Sequence, residues 1–309
     1  MKPVRTAPWV ALALSLLVLA GACEGGRGGA GTTAARGGGF PVEVAGTLIP
    51  EAPQRIVSAS ASHTEILYAL GAGARVVATD QFSNFPPEAD ATPKLDAFNL
   101  GVEAVAALGP DLVVLSYDPG DLCAGLAALG IPTLLFAPPL TLEDAYGQMR
   151  SLGVATGLEA EAAMLVAEVG GEVERFVSTV PDGGGPLTYY YELDPTLYSL
   201  TSGTFVGSLF ALLGMENIAD PADAAGTGYP QLSAESILDA DPDFIFLADT
   251  RCCGQSAATV AARPGWAGLQ AVVGGRVVPL DDDVASRWGP RLVDLLIVVA
   301  GAVSVGGGG

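Results

Sequence analysis

Arg55–Asp80 reads RIVSASASHTEILYALGAGARVVATD, and its three parts decide the fold. Arg55–Ser58 and Arg75–Thr79 are short apolar runs rich in β-branched residues, as expected of strands covered on both faces. Between them, His63–Leu70 has the composition and length of a helix. The same alternation continues outward. Further strand candidates are Asp111–Ser116, Thr133–Phe136, Leu187–Glu192, Asp243–Ala248 and Arg276–Pro279. Helix candidates Val102–Leu108, Leu122–Leu129, Thr204–Leu213 and Ala234–Ala240 fall between them. Strands and helices in strict alternation predict an α/β fold with mainly parallel sheets.

One stretch breaks the rhythm. Leu142 to Val180 has no strand signal and is rich in Glu, Ala, Met, Leu and Val, which favours helix; Gly153 and Gly157 are candidate breaks in it. A turn cluster from Pro181 to Pro186 follows. The expected organisation is an N-terminal lobe (residues 42–139), a bridging helical segment (140–185), a C-terminal lobe (186–303) and a flexible tail (304–309). VEAVAALGPDLVVLSYD (Val102–Asp118) and AESILDADPDFIFLADT (Ala234–Thr250) echo each other as helix, Pro-Asp turn and apolar strand. Two lobes of like build would produce that echo, although the motif is common in α/β proteins.

The N-terminus sets the compartment. Lys2 and Arg5 precede an apolar run from Trp9 to Ala20, and small residues lead into Cys23. This is the pattern of an export signal (residues 1–22), with Cys23 placed as the lipid-bearing first residue of a bacterial lipoprotein. Residues 23–41 are Gly-rich and read as a flexible tether. The expected location is the outer face of the cytoplasmic membrane, reached by export and held by the lipid anchor. Leu292 to Val305 is apolar but shorter than a membrane span and contains Asp294, so a docked amphipathic helix is expected. The formal charge is −20; losing Lys2 and Arg5 with the signal takes it to −22. Such a chain repels polyanions, so nucleic acid is excluded as a partner. Half the residues are hydrophobic, which excludes a disordered chain.

In open α/β sheets ligands sit beyond the carboxyl ends of the strands. The residues there supply the candidate ligand contacts: Ser62 and His63; Phe82, Ser83 and Asn84; Tyr117 and Asp118; Tyr191, Tyr198 and Tyr229; Arg251 and Cys252; Arg287 and Trp288. Aromatic walls with a few polar anchors are the lining of a ligand cleft. Tyr189 and Tyr191 share one strand face, with Tyr190 opposite. Catalytic patterns are poor, and no enzyme is expected. His63 is the only histidine, and neither a G-x-S-x-G elbow nor a phosphate-binding loop is present. His63-Thr64-Glu65 has the His-x-Glu of zinc deaminases without their P-C-x-x-C, so no metal site is expected. Asp281–Asp283 reads as an acidic surface loop. Three readings of the cysteines stay open: a disulfide between adjacent Cys252 and Cys253, a soft-metal site, or a bridge from either to Cys123.

The opening stretch, followed by FPPEA (Phe85–Ala89) and Pro93-Lys94-Leu95, resembles the N-lobe of the bacterial cobalamin, haem and ferric-siderophore binding proteins of ABC importers. EAVAALGPDLVVLS, TSGTFVGSLFALLGMENIAD, YPQLSAESILDADPDFIFL, RPGWAGLQAV and RVVPLDDDVASRWGPRLVD continue the resemblance, which covers about Arg55 to Val303. It implies two lobes joined by one long helix, modest closure on ligand and delivery to a membrane permease by a monomer. FPPEA and YELDPTLYSLTSGTF look closest to the cobalamin branch, which implies a corrinoid as transported ligand and no covalently bound cofactor. Ser62-His63 and the CCGQ stretch (Cys252–Gln255) depart from the general pattern. By motif, Glu88 and Glu235 are the residues that dock on permease arginines. Two alternatives remain open: a haem or ferric-siderophore carrier, with Arg251 and Arg287 holding an anionic iron complex, and a thiol–histidine metal or redox protein.

Overall fold

Two separate parallel sheets organise the chain in the computed structural model, which describes residues 39–180 and 185–306. The expected export signal, Cys23 and the expected tether up to residue 38 lie outside the described residues. A short antiparallel hairpin, β1 (Val42–Val44) with β2 (Thr47–Ile49), opens the fold. The first sheet follows with β3 (Ile56–Ala59), β4 (Val76–Asp80), β5 (Lys94–Leu95), β6 (Leu112–Leu115) and β7 (Thr133–Leu135). Its order is β5-β4-β3-β6-β7, all parallel. The second sheet holds β8 (Leu187–Glu192), β9 (Met215–Asn217), β10 (Phe244–Leu247) and β11 (Val277–Pro279), in the parallel order β11-β10-β8-β9. All seven strands expected from the sequence form. The hairpin, β5 and β9 were not expected; each strand is two or three residues long, too short to carry a pattern.

The two sheets share one plan. Laid over each other, β4-β3-β6-β7 matches β9-β8-β10-β11, and only the edge strand β5 lacks a counterpart. The sequence echo falls on equivalent places, the helix and strand leading to β6 and to β10. Its Pro-Asp turn does the same work twice. Asp111 accepts the amide N–H groups of Gln54 and Arg55, both at 2.8 Å. Asp243 accepts the amide N–H of Thr188 at 2.9 Å and its hydroxyl at 3.1 Å. Each carboxylate thereby ties the start of a central strand to its neighbour.

Every residue of β3, β6 and β10 is buried, which explains the unbroken apolar runs of β6 and β10; in β3 the run is interrupted by Ser58, whose hydroxyl accepts Thr64. One apolar cluster joins the inner faces of both sheets, through Ile56, Leu112, Tyr189, Tyr191 and Phe246, to Met149 and Val169 of the bridge and to Leu295 and Val299 near the C-terminus. Separate clusters cover the outer faces, and Tyr190 belongs to one of these, opposite its neighbours as the alternation requires.

The bridge is two helices, Leu142–Thr156 and Glu159–Val177, in place of the one long helix implied by resemblance. Gly157 closes the first in a left-handed conformation, φ 71°, which glycine adopts without the usual steric cost. Thr141 and Asp144 form a capping box at its start. The two helices lie very close: a Cβ on Gly153 would stand 2.4 Å from the Cβ of Ala162. The last helix, Leu292–Gly306, runs past residue 304, where a flexible tail was expected, and buries Leu292, Leu295, Leu296 and Val299. Among the described residues, no helix is long and apolar enough to cross a membrane.

Two glycines of the first bridge helix separate packing from propensity. Gly153→Ala should cost about 1–3 kcal/mol through overpacking against Ala162. Gly147→Ala meets nothing within 4 Å and should stabilise by roughly 0.5–1 kcal/mol. Urea unfolding of both variants checks the opposite signs.

Candidate functional site

The order of the first sheet reverses between β3 and β6, and a cavity of about 510 Å3 opens beyond their carboxyl ends, where α/β sheets place ligands. Ser60 and Ser62 follow β3, Phe82 follows β4, Phe98 follows β5 and Tyr117 follows β6; all five line it. A second cavity of about 580 Å3 lies against the loops after β8 and β9, with Thr201, Phe205 and Tyr229 facing Pro138, Pro139 and Leu140. Ser286 and Trp288 line both cavities. The two are therefore halves of one cleft, with Trp288 as their common wall. Phe82, Phe98, Tyr117 and Tyr229 are exposed there, which leaves broad aromatic faces free.

Not every candidate reaches the cleft. Ser62, Phe82, Tyr117, Tyr229, Arg287 and Trp288 line it. Tyr191 does not: it is fully buried in the core and its hydroxyl donates to the Ala285 carbonyl. Ser83 is also fully buried, bonded to Thr64 and Asp80. Asp118 accepts the Cys123 amide and lines neither half. Tyr198 pairs with Gln231 in an isolated bridge and lines neither half. Arg251, Cys252 and Asn84 stand outside both linings as well. Position after a strand end locates the loop but not which side chain of it turns inward. Phe98 went unrecognised because β5 is only two residues long.

His63 is sealed rather than presented. Its Nδ1 accepts the Ser60 hydroxyl at 2.8 Å and its Nε2 is 2.9 Å from Gln148 Oε1. The amide nitrogen of Gln148 donates to the Ala137 carbonyl, so Oε1 is an acceptor and His63 carries its proton on Nε2. Complete burial lowers its pKa from 6.5 to about 4, against the smaller opposing effect of the Gln148 bond. Both nitrogens are engaged, so neither is free for a metal. Among the described residues, no cluster of His, Cys, Asp and Glu could hold an ion.

The two arginines are committed. Arg287 crosses from the second lobe into the first. Its Nη1 donates to Glu65 at 2.8 Å and to Asn84 at 3.0 Å; its Nη2 donates to the Phe82 carbonyl and to Asp283, both at 2.7 Å. Arg291 binds the same Glu65 oxygen at 2.6 Å. Arg251 pairs with Asp281 and Asp283, each at 2.9 Å. The acidic loop is thus built into the fold: Asp281 caps the helix Asp282–Ala285, and Asp282 accepts the amides of Thr250, Arg251 and Cys252.

Cys252 and Cys253 are joined to each other. Cys123 is a free, half-buried thiol, pushed up to about 11 by burial and by Asp118. It lies beside the β1–β2 hairpin, lining neither half of the cleft, so no bridge ties it to the other two. Deeper in the second lobe, Arg263 grips the fully buried Glu192 with both terminal nitrogens, at 2.5 and 2.6 Å. Asp249, buried beside this pair, has its pKa raised by burial and by the Glu192 charge.

The buried histidine gives a pH signature. The unfolded chain takes up a proton on His63 near pH 6.5, whereas the folded protein resists until about pH 4. Its contribution is full above 6.5 and is lost as pH falls, at about 1.4 kcal/mol per pH unit, on the order of 3 kcal/mol in all. Urea unfolding at pH 7, 5.5 and 4.5 should show this decline, and a His63→Gln variant should lack that part of it.

Residues 56–284 match the model of the family described as periplasmic binding protein. Over 303 residues the chain is 29% identical to an uncharacterized ABC transporter substrate-binding lipoprotein, YvrC, of Bacillus subtilis, covering 94% of each. It is also 29% identical over 307 residues to a cobalamin-binding protein of Halobacterium salinarum, covering 95% of this chain and 82% of that one. Among solved structures, the periplasmic heme-binding protein RhuT of Roseiflexus sp. RS-1 in apo form aligns with a TM-score of 0.72 at 26% identity, over 82% of this chain and 98% of that one. The matched span contains both parallel sheets and most of the cleft lining, and the chain belongs to the periplasmic binding protein family, a class of substrate-binding proteins that serve ABC importers outside the cytoplasm.

Proposed function

We propose that this protein captures a corrinoid in the cleft and delivers it to the permease of an ABC importer. One observation carries the choice of ligand: no uncommitted cation lines either half of the cleft among the described residues. Arg287 is the one arginine in the lining, and its terminal nitrogens are taken by Glu65, Asn84, Phe82 and Asp283. Haem brings two carboxylates and many ferric siderophores are anionic; both call for free arginines or lysines. A corrinoid is flat, large and clothed mainly in neutral amides, which suits exposed aromatic faces and uncharged hydroxyls. The cobalamin-binding relative is similar over nearly the whole chain, in agreement with this reading.

Purified protein is to be titrated with cyanocobalamin, haemin and a ferric hydroxamate, following Trp288 fluorescence and the visible spectrum of gel-filtered complex. Cyanocobalamin should quench at micromolar concentrations and travel with the protein. Retention of haemin or ferric hydroxamate without cyanocobalamin would overturn the assignment.

Delivery needs a docking face. Glu88 stands in the first turn of Pro87–Asp90 and Glu235 in the first turn of Ala234–Ala240, one exposed carboxylate on each lobe. The N-cap of the second helix is already served by Ser233 and Ser236, so Glu235 is not needed to cap it. These two carboxylates pair with permease arginines, while the lipid on Cys23 holds a monomer at the membrane. The double variant Glu88→Gln, Glu235→Gln should bind cyanocobalamin normally but support markedly less uptake in cells. Unchanged uptake would remove the docking role.

A further inference from the structure

Three parts of the molecule meet on one oxygen atom. Gln148 Oε1, on the first bridge helix, accepts His63 Nε2–H from the first lobe and Trp288 Nε1–H from the second, both at 2.9 Å. The amide nitrogen of Gln148 donates to the Ala137 carbonyl at 2.8 Å, which fixes the flip of the amide and turns its oxygen toward both N–H groups. His63 is held in turn by Ser60, and its ring meets the indole edge-on at 5.9 Å.

The backbone around Trp288 is anchored separately. Arg287 is locked to Glu65, the Trp288 amide donates to Ser62 Oγ at 3.2 Å, and a Cβ on Gly289 would lie 2.9 Å from Glu65 Oε2. None of these contacts fixes the rotation of the indole about its side-chain bonds. Its polar handle is the Nε1–H, and the Gln148 oxygen is where that handle is held. The orientation of the indole decides the shape of both halves at once, since Trp288 is their common wall.

We infer that Gln148 is a positioning residue for ligand recognition: by sharing one oxygen between His63 and Trp288, it sets the indole that divides the cleft. This rests on reading the cleft as the ligand site. Glutamine suits the place because it offers an acceptor to two donors and a donor to Ala137. Glutamate would turn a carboxylate oxygen against that carbonyl, and asparagine is one methylene short.

The test is a double-mutant cycle between Gln148→Met, which keeps length without the acceptor, and Trp288→Phe, which keeps an aromatic wall without the N–H. Cyanocobalamin is the probe. With Trp288 present, Gln148→Met should weaken binding about tenfold. In the Trp288→Phe background the same change should cost less than about twofold, because the two residues act as a unit. Independently of any ligand, Trp288 is made the sole indole by Trp9→Phe and Trp266→Phe. There, Gln148→Met should at least double the acrylamide quenching constant. Equal losses in both backgrounds, or unchanged quenching in a folded Gln148→Met protein, would overturn the role. Should Gln148→Met fail to fold, the parent protein still decides: the Trp288 Nε1–H resonance should exchange slowly in deuterated buffer, and exchange within the dead time overturns the proposal. A parent that ignores cyanocobalamin sinks the corrinoid reading alone, because the indole measurements stand without ligand.

Discussion

A single carboxylate holds the two lobes in register. Glu65 lies in the first helix of the first lobe, its side chain 1% exposed, and it takes Arg287 and Arg291 from the second. Two buried charges gain little over an apolar pair of the same shape, but a buried charge that loses its partner is costly. The latch therefore acts as a specifier. Any arrangement of the lobes that withdraws both Arg287 and Arg291 leaves Glu65 without an ion-pair partner. Arg287 also reaches the Phe82 carbonyl and Asn84, so the segment carrying Trp288 is fixed against the loop after β4. With an apolar cluster continuous from one sheet to the other, this leaves little freedom for wide hinge motion.

The same economy of charge explains the cleft. The chain is strongly acidic, yet the cleft's one arginine is committed to Glu65 and Asp283, and its carboxylates Asp80 and Asp223 are bonded to neighbouring amides and hydroxyls. Asp283 pairs with Arg251 and Arg287, and Asp282 caps the helix that carries the joined cysteines. Arg263 and Glu192 repeat the device in the second lobe. What lines the open space is mainly aromatic, aliphatic and hydroxylic. Recognition then depends on shape and on stacking, and less on ion pairing.

Much of the fold was legible because buried parallel strands leave nearly continuous apolar runs, unbroken in β6 and β10 and interrupted only by Ser58 in β3. The echo between Val102–Asp118 and Ala234–Thr250 marked a shared plan, down to the Pro-Asp turns that bind the central strands. The edge strands β5 and β9 were invisible at two or three residues. The split of the bridge rested on one left-handed glycine, which composition flagged without ranking Gly157 over Gly153. At the site, Phe82 and Tyr117 just past their strands, and the loop aromatics Tyr229 and Trp288, were readable. Tyr191 was misplaced because a strand alternates inward and outward positions, and His63 because it sits inside the first helix, turned to Ser60 and Gln148 rather than to the cleft. Arg251 and Arg287 looked available because, apart from Asp283 four residues before Arg287, their ion-pair partners lie tens to hundreds of residues away. Gln148 and Glu65 had no local signal at all: one polar residue in a helix looks like any other until its partners are brought to it.

Each sheet is drawn from one uninterrupted stretch of chain, but the latch between them is not. As the polypeptide emerges amino end first, all five strands of the first sheet are in hand once β7 is complete. Arg287, however, lies 222 residues beyond Glu65. Throughout that interval Glu65 lacks both of its ion-pair partners, although the bridge residues Met149 and Leu152 are already in hand to cover the inner face of the first sheet. The same late segment supplies Trp288, the wall common to both halves of the cleft. A half-made chain therefore presents no finished cleft, so capture of cargo waits for completion of the whole molecule.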